Sequence, residues 1–386
     1  MVNFTYHNPV KIVFGKGMIT ELKNLVPEGV KVMMAYGGGS IKKNGVYEQV
    51  MAALEGFEVV VFGGIEANPE YETCMKAVEI VKAENVCFIL AVGGGSVLDG
   101  VKFIAAASRF EDEDPWQIME GKVPVADAVP LGSVMTLPAT GSEMNCFSVV
   151  SRVSTGEKLA FSAEKCYPQF SILDPETTFS LPERQVRNGV VDTFAHVMEQ
   201  YMCKAQGTPL QARQAEAILS TVIEEAPKVL ADPQNYDVRA NLMWCATAGL
   251  NGLLGCGVEA QDWATHMIGH ELTALYGLDH AQTLAVIMPA VHKFRIERKC
   301  ERMAQCAERV WEIFEGTDME KAELAIEKMK AFFESVGEST SLESYGIDVE
   351  EAAVKAAAGL AKRGAKVGEY GDLGEDEVAA IIRLAR

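Results

Sequence analysis

Residues 85–108 read NVCFILAVGGGSVLDGVKFIAAAS. A short apolar run ends in Gly93-Gly94-Gly95-Ser96, and helical spacing follows at once. Strand, glycine turn and helix in that order are the local pattern of a parallel α/β sheet. The same pattern occurs upstream. KVMMAYGGG (31–39) reads as a strand ending in glycines, with IKKNGVYEQVMAALEG (41–56) as its helix. EVVVFGGI (58–65) and PEYETCMKAVEIVKAEN (69–85) repeat the strand and helix. Another apolar run, GSVMTLPAT (132–140), opens a stretch richer in turn residues. The expected fold is a parallel sheet covered by helices on both faces, with ligands bound beyond the carboxyl ends of its strands.

Beyond LPERQVRNG the pattern changes. From about residue 185 onward helical spacing dominates, as in LQARQAEAILSTVIEEAPKVL and MEKAELAIEKMKAFFESVG, and no run of strands stands out. A boundary beside Leu181-Pro182 divides the chain into an α/β domain, 1–180, and an all-helical domain, 181–386. Without a low-complexity linker, the two lobes are expected to pack with a cleft between them.

Composition narrows the function. The formal charge of −19, from 35 basic and 54 acidic residues, argues against general affinity for nucleic acid or anionic membrane. An anionic ligand must then be held by local devices such as backbone amides. The nine cysteines are scattered, with no C-x-x-C pair, so a disulfide framework or thiolate zinc site is not expected and a reducing, cytoplasmic setting is. The start, MVNFTYHNPVKIVFG, lacks the features of a secretory signal, and no apolar run is long enough to span a membrane.

Glycines let backbone N–H groups approach a pyrophosphate, and the following helix N-terminus adds partial positive charge. Neither cluster is a G-x-G-x-x-G fingerprint, because Leu98 and Lys42 occupy the third glycine positions. Glycine-rich turns also occur without any phosphate, but two at successive strand ends favour a dinucleotide site built in part by Gly38, Gly39 and Ser40. Lys42 and Lys43 are ordinarily solvated first-turn residues; in the functional reading one of them, Lys43 by choice, neutralises a 2′-phosphate, with no carboxylate nearby to repel it. The loop TLPATGSE (136–143) adds hydroxyls that could meet cofactor or simply cap turns.

Three of the six histidines fall in DWATHMIGHELTALYGLDH (262–280). His266 and His270, four apart, share a helix face; His280 follows Gly277, which could end or bend that helix. The spacing is not H-E-x-x-H, which disfavours a zinc protease. A carboxylate would complete a mixed N/O metal set, and NGVVDTFAHVMEQY (188–201) offers Asp192 with His196 at the same i, i+4 spacing. A lone histidine on an apolar helix is ordinarily a hydrogen-bonded core residue, which is the reading for His7 and His292. Concentration in two short segments turns the balance towards a metal.

AVGGGSVLDGVKFIAAA, TLPATGSEMN, NGVVDTFAHVMEQY and DWATHMIGHELTALYGLDHAQTLA together resemble the iron-containing, group III, alcohol dehydrogenases, and within them the butanol dehydrogenase and NADPH-dependent aldehyde reductase branch. The resemblance runs over essentially the whole chain. It implies a Rossmann-like N-terminal domain, an all-helical C-terminal domain of the dehydroquinate synthase-like fold, and a homodimer, with FTYHNPVKIVFG (4–15) a candidate edge strand. It also implies Asp192, His196, His266 and His280 as ligands of one divalent metal, zinc ahead of iron(II). Cofactor contacts are implied at Gly94, Gly95, Ser96, Asp99, Thr136, Thr140, Ser142, Lys158 and Leu181. Where NAD-preferring members often carry an aspartate, this chain has Gly38, so NADP(H) is expected over NAD(H). His270 would line the substrate site and relay a proton while the metal polarises an aldehyde oxygen. Three other readings compete: a glycerol dehydrogenase-like or dehydroquinate synthase-like enzyme on the same fold; a metal-dependent hydrolase, which leaves both glycine clusters unexplained; and a non-catalytic nucleotide-binding or scaffold protein, which the four-ligand set argues against.

Overall fold

A computed structural model describes residues 1–111, 114–203 and 207–386. In chain order the elements are β1 (Lys11–Phe14), α1 (Leu22–Leu25), β2 (Lys31–Tyr36), α2 (Val46–Ala53), β3 (Glu58–Gly63), α3 (Tyr71–Ala83), β4 (Phe88–Gly94) and α4 (Gly95–Ala107). Next come α5 (Trp116–Met119), β5 (Leu131–Leu137), β6 (Phe147–Arg152), β7 (Glu157–Ser162) and β8 (Phe170–Leu173). The rest is helical: α6 (Glu183–Tyr201), α7 (Pro209–Ala231), α8 (Tyr236–Gly249), α9 (Ala264–Tyr276), α10 (His280–Phe294), α11 (Ile296–Val310), α12 (Asp318–Ser335), α13 (Val349–Lys362) and α14 (Glu375–Leu384).

Six strands form one parallel sheet in the order β1-β8-β5-β4-β2-β3. Phe88 to Val92 of β4 are all fully buried, as a central strand covered on both faces must be. β3, at one edge, has no fully buried residue. β2 and β4 are neighbours with Tyr36 opposite Val92, so both glycine clusters leave the sheet side by side at its carboxyl edge. Gly95 is required by close approach, since a Cβ there would overlap the Thr140 side chain.

The helix expected across 41–56 is shorter than its spacing suggests. A 3₁₀ turn covers Ser40–Lys42, and α2 begins only after Gly45, whose φ of +82° interrupts helical geometry. The turn-rich region beyond β5 contains an antiparallel hairpin, β6–β7, and the last sheet strand, β8.

The chain divides into two compact units: His7–Pro182 with Gln234–Asn251, and Met1–Tyr6 with Glu183–Pro233 and Gly252–Arg386. A single division at residue 180 assigns Met1–Tyr6 and Gln234–Asn251 the other way. The reason α8 groups with the sheet is packing. Thr247 Oγ1 donates to buried Glu143, Leu250 O accepts from Asn145 Nδ2, and Trp244 meets Phe14 edge-on at 6.0 Å. Among its described residues the helical unit has no strand, only an isolated bridge between Val367 and Leu373. No helix among the described residues is long and apolar enough to cross a membrane.

Candidate functional site

Every residue of α6 from Val190 to Tyr201 is buried. A polar side chain on such a segment must find a partner or a ligand. Asp192, His196 and Glu199 stand at i, i+4 and i+7, and so share one face. His266 comes from the first turn of α9. That helix ends at Tyr276, because Gly277 takes up the left-handed conformation (φ +69°). His280 therefore opens a separate helix, α10. Asp279 fixes that helix start. Its backbone N–H donates to Gln282 Oε1 at 2.9 Å, and its carboxylate accepts from Arg184 Nε at 2.6 Å and Asn188 Nδ2 at 3.0 Å, both on α6.

These tethers gather the donors. Asp192 Oδ1 lies 3.3 Å from His196 Nδ1, 3.6 Å from His280 Nε2 and 3.8 Å from His266 Nε2. Asp192, His196 and His266 offer ligand atoms that all lie within 4.8 Å of one another. Four ligands placed tetrahedrally at zinc–nitrogen bond length are about 3.4 Å apart, so the spacing suits one divalent ion. Asp192 Oδ1, His196 Nδ1 and His266 Nε2 are buried and have no hydrogen-bond partner among the described residues. Buried polar atoms are otherwise almost always paired, so an ion is what this group of side chains fits. Trp263 closes one flank, its ring 5.4 Å from that of His266.

The electrostatics agree. Burial opposes ionisation of Asp192, but the charges of His196, His280 and His266 outweigh it, holding the carboxyl well below the usual range. His196 is pushed down to about 4, by burial first and by the charge of His266, against the pull of Asp192. His266 goes the other way, up to about 9: burial lowers it, but Glu199 and Asp192 raise it more. Glu199 and Asp192 thus favour positive charge at His266, while His196 is held neutral, the form in which an imidazole binds a metal.

His270 lies outside the cluster around Asp192. Half-buried one turn after His266, its ring stands 5.4 Å from that of His280 and 6.3 Å from that of His266. Glu199 was not singled out in the sequence, though an acid seven residues after Asp192 on an apolar helix was a readable signal.

The expected cofactor residues lie in the sheet unit. Gly38 and Ser40 are exposed and Gly39 is partly so, beyond the end of β2. A Cβ on Gly38 or Gly39 would meet no atom within 4 Å. Lys42 and Lys43 are both exposed, and Lys42 sits 5.0 and 5.1 Å from the rings of Tyr36 and Tyr47. Gly94, Gly95 and Ser96 form the β4–α4 turn, and Ser96 Oγ donates to Ala67 O. Thr140 Oγ1 accepts from Ser142 N at 3.2 Å, and Thr136 is buried at the end of β5. Lys158, on β7, donates to Asn68 Oδ1 at 2.9 Å. Leu181 is half-buried just past the last 3₁₀ turn of the unit. Asp99 and Ser142 are turned inward: Ser142 Oγ donates to Asp99 Oδ1 at 2.7 Å and accepts from Lys102 Nζ at 2.7 Å. Lys102 is fully buried, and sequence reasoning passed over it as part of an apolar helix.

The sequence model of the iron-containing alcohol dehydrogenase family matches residues 9–175, and that of the family's C-terminal region matches 187–386. The chain is 54% identical over 350 residues to the NADPH-dependent aldehyde reductase YqhD of Escherichia coli K12, covering 90% of each. It is 41% identical over 390 residues, all of both chains, to a probable NADH-dependent butanol dehydrogenase of Bacillus subtilis. The crystal structure of E. coli K-12 YqhD superposes with a TM-score of 0.97 at 51% identity, covering 100% of this chain and 99% of that one.

Proposed function

The chain belongs to the iron-containing alcohol dehydrogenase family, and on that premise we propose that it reduces short to medium aliphatic aldehydes, butanal among them, to primary alcohols with NADPH. Members similar to it are named as aldehyde reductases and alcohol dehydrogenases, and the chain is an NAD(P)-dependent enzyme of that class. The observation that carries the reading is the buried Asp192–His196–His266 group with its unpartnered donor atoms, approached by His280.

Asp192, His196, His266 and His280 would hold one divalent metal, zinc ahead of iron(II). Bound there, the metal supplies Lewis-acid polarisation of a carbonyl or alcohol oxygen. Asp192 would partly neutralise the ion and hold it against α6. The two glycine turns and the Thr136–Ser142 loop would bind and orient the dinucleotide, their backbone amides supplying donors for an anionic group. Gly38 leaves room where a carboxylate would repel a 2′-phosphate, and exposed Lys43 is free to approach one. His270 carries the proton to the product oxygen from its position beside His280. The reading also takes the chain as a cytoplasmic homodimer. β1 at the sheet edge and nine free cysteines support it.

Elemental analysis with an aldehyde panel assayed with both NADPH and NADH tests this. One zinc or iron per chain and a higher kcat/KM for butanal with NADPH are expected. Turnover of glycerol but no aldehyde, or higher efficiency with NADH, would refute the substrate or the cofactor assignment. His270→Ala should lower kcat at unchanged metal content; loss of metal would instead make His270 a ligand.

A further inference from the structure

Glu199 is 2% exposed and has no counter-ion of its own type, a lysine or arginine, within salt-bridge distance among the described residues. Its two oxygens do different things. Oε1 accepts from the backbone N–H groups of Thr265 (2.6 Å) and His266 (3.3 Å), in the first turn of α9. Oε2 is directed at His266 Nδ1. The α9 N-cap position is held by Trp263, which offers no side-chain cap, so α6 supplies an acceptor across the helix pair. An end-capping role alone would not account for Oε2, which is committed to the imidazole. Nor is capping lacking otherwise, since Asp262 Oδ1 already accepts from Ala264 N at 3.0 Å.

The consequence is geometric. With Nδ1 donating to Glu199, the ring of His266 can turn only Nε2 towards Asp192, and that atom is the one without a partner. The same carboxylate pins the backbone of His266 to the helix carrying Asp192 and His196. We propose that Glu199 is the positioning residue of the metal centre: it fixes the ring orientation of His266 and its distance from the α6 donors, and so sets the affinity for a divalent cation. This rests on the reading of Asp192, His196 and His266 as ligands. Partners of this kind commonly change metal affinity by about 10- to 100-fold when removed.

Glu199→Gln is the informative variant. It keeps the size of the side chain but offers one acceptor oxygen in place of two, so its amide must face either the α9 N–H groups or Nδ1. Chelator-stripped full-length protein is titrated with Co²⁺ in competition with a chromophoric chelator, and the cobalt d–d spectrum is recorded. Wild type should bind one Co²⁺ with a four- or five-coordinate spectrum. Glu199→Gln, with unchanged far-UV circular dichroism, should bind it about 10- to 100-fold more weakly and with a shifted spectrum. Binding by Glu199→Gln within threefold of wild type, alongside clear loss in Asp192→Ala, would overturn the role of Glu199 and leave the ligand reading intact. Absence of Co²⁺ binding by wild type would overturn both. Should Glu199→Gln not fold, ¹⁵N NMR of the histidine rings in zinc-loaded wild type decides the same point: Nδ1 protonated and Nε2 metal-bound at His266 is expected, and ligation through Nδ1 would refute the proposal.

Discussion

Lys102→Met should destabilise the sheet unit far more than an ordinary core substitution. Lys102 has no exposed surface. Its Nζ donates to Ser142 Oγ at 2.7 Å, Asn145 Oδ1 at 3.0 Å and Phe147 O at 2.8 Å, which uses every N–H of an ammonium group. Ser142 relays the contact to Asp99, whose carboxylate also accepts from Val149 N at 3.1 Å. Burial pulls the Lys102 amine down and the Asp99 carboxyl up, each against its charged form. Yet three acceptors surround Nζ, and a neutral amine could satisfy only two of them, so the ammonium fits. Methionine fills similar space and leaves those acceptors and Asp99 without their cation. Breaking a buried pair from one side costs about 3–5 kcal/mol. At about 2–4 °C per kcal/mol for a unit of 150–250 residues, Tm should fall by about 6–20 °C. Because the same network holds the Thr140–Phe147 loop, NADPH affinity should weaken as well. Differential scanning calorimetry of wild type, Lys102→Met, Asp99→Asn and the double variant measures both the loss and the coupling. The double variant should recover at least half of the Lys102→Met loss, since no uncompensated charge remains. A Tm within about 3 °C of wild type for Lys102→Met, or simple additivity in the double variant, would show that Lys102 and Asp99 do not act as a buried pair.

Gly38→Asp should shift the NADPH to NADH ratio of kcat/KM by at least tenfold towards NADH, through repulsion of a 2′-phosphate; the site has room for the side chain, with no atom within 4 Å of a Cβ, so an unchanged ratio in a stable variant would place the 2′-phosphate elsewhere. His292 is buried with neither ring nitrogen hydrogen-bonded among the described residues, and burial, with the charge of Lys299, pushes it down to about 3. Its folded value lies below the unfolded one, so it contributes stability above about pH 6.5 that is lost as pH falls towards 3, at about 1.4 kcal/mol per pH unit. His292→Leu should therefore gain about 2 kcal/mol on wild type between pH 7 and pH 5 in urea denaturation; the same offset at both values would contradict it.

Local spacing made much of this molecule legible. The apolar runs ending at Gly37 and Gly93 identify β2 and β4, because a strand covered on both faces needs no alternation and a chain leaving a sheet for a helix needs glycine where backbones come close. Asp192 with His196 and His266 with His270 could be read as pairs, since residues four apart on a helix share a face wherever that helix lies. Other features depend on partners distant in sequence. The four-residue β1 and β8 are too short to carry a period, and their place follows from pairing with each other and, for β8, with β5. α8 lies between helices in the chain, yet Thr247, Trp244 and Leu250 bind it to the sheet unit.

The sequence by itself therefore determined the alternating sheet half, the helical half and which residue types could bind a metal, because those properties are set by side-chain period and donor chemistry. Only the tertiary structure decided how His266 is aimed. Two helices more than sixty residues apart in the chain bring one carboxylate to a ring nitrogen and two backbone amides. An orientation set by contact across packed helices leaves no period in either helix by which it could be read.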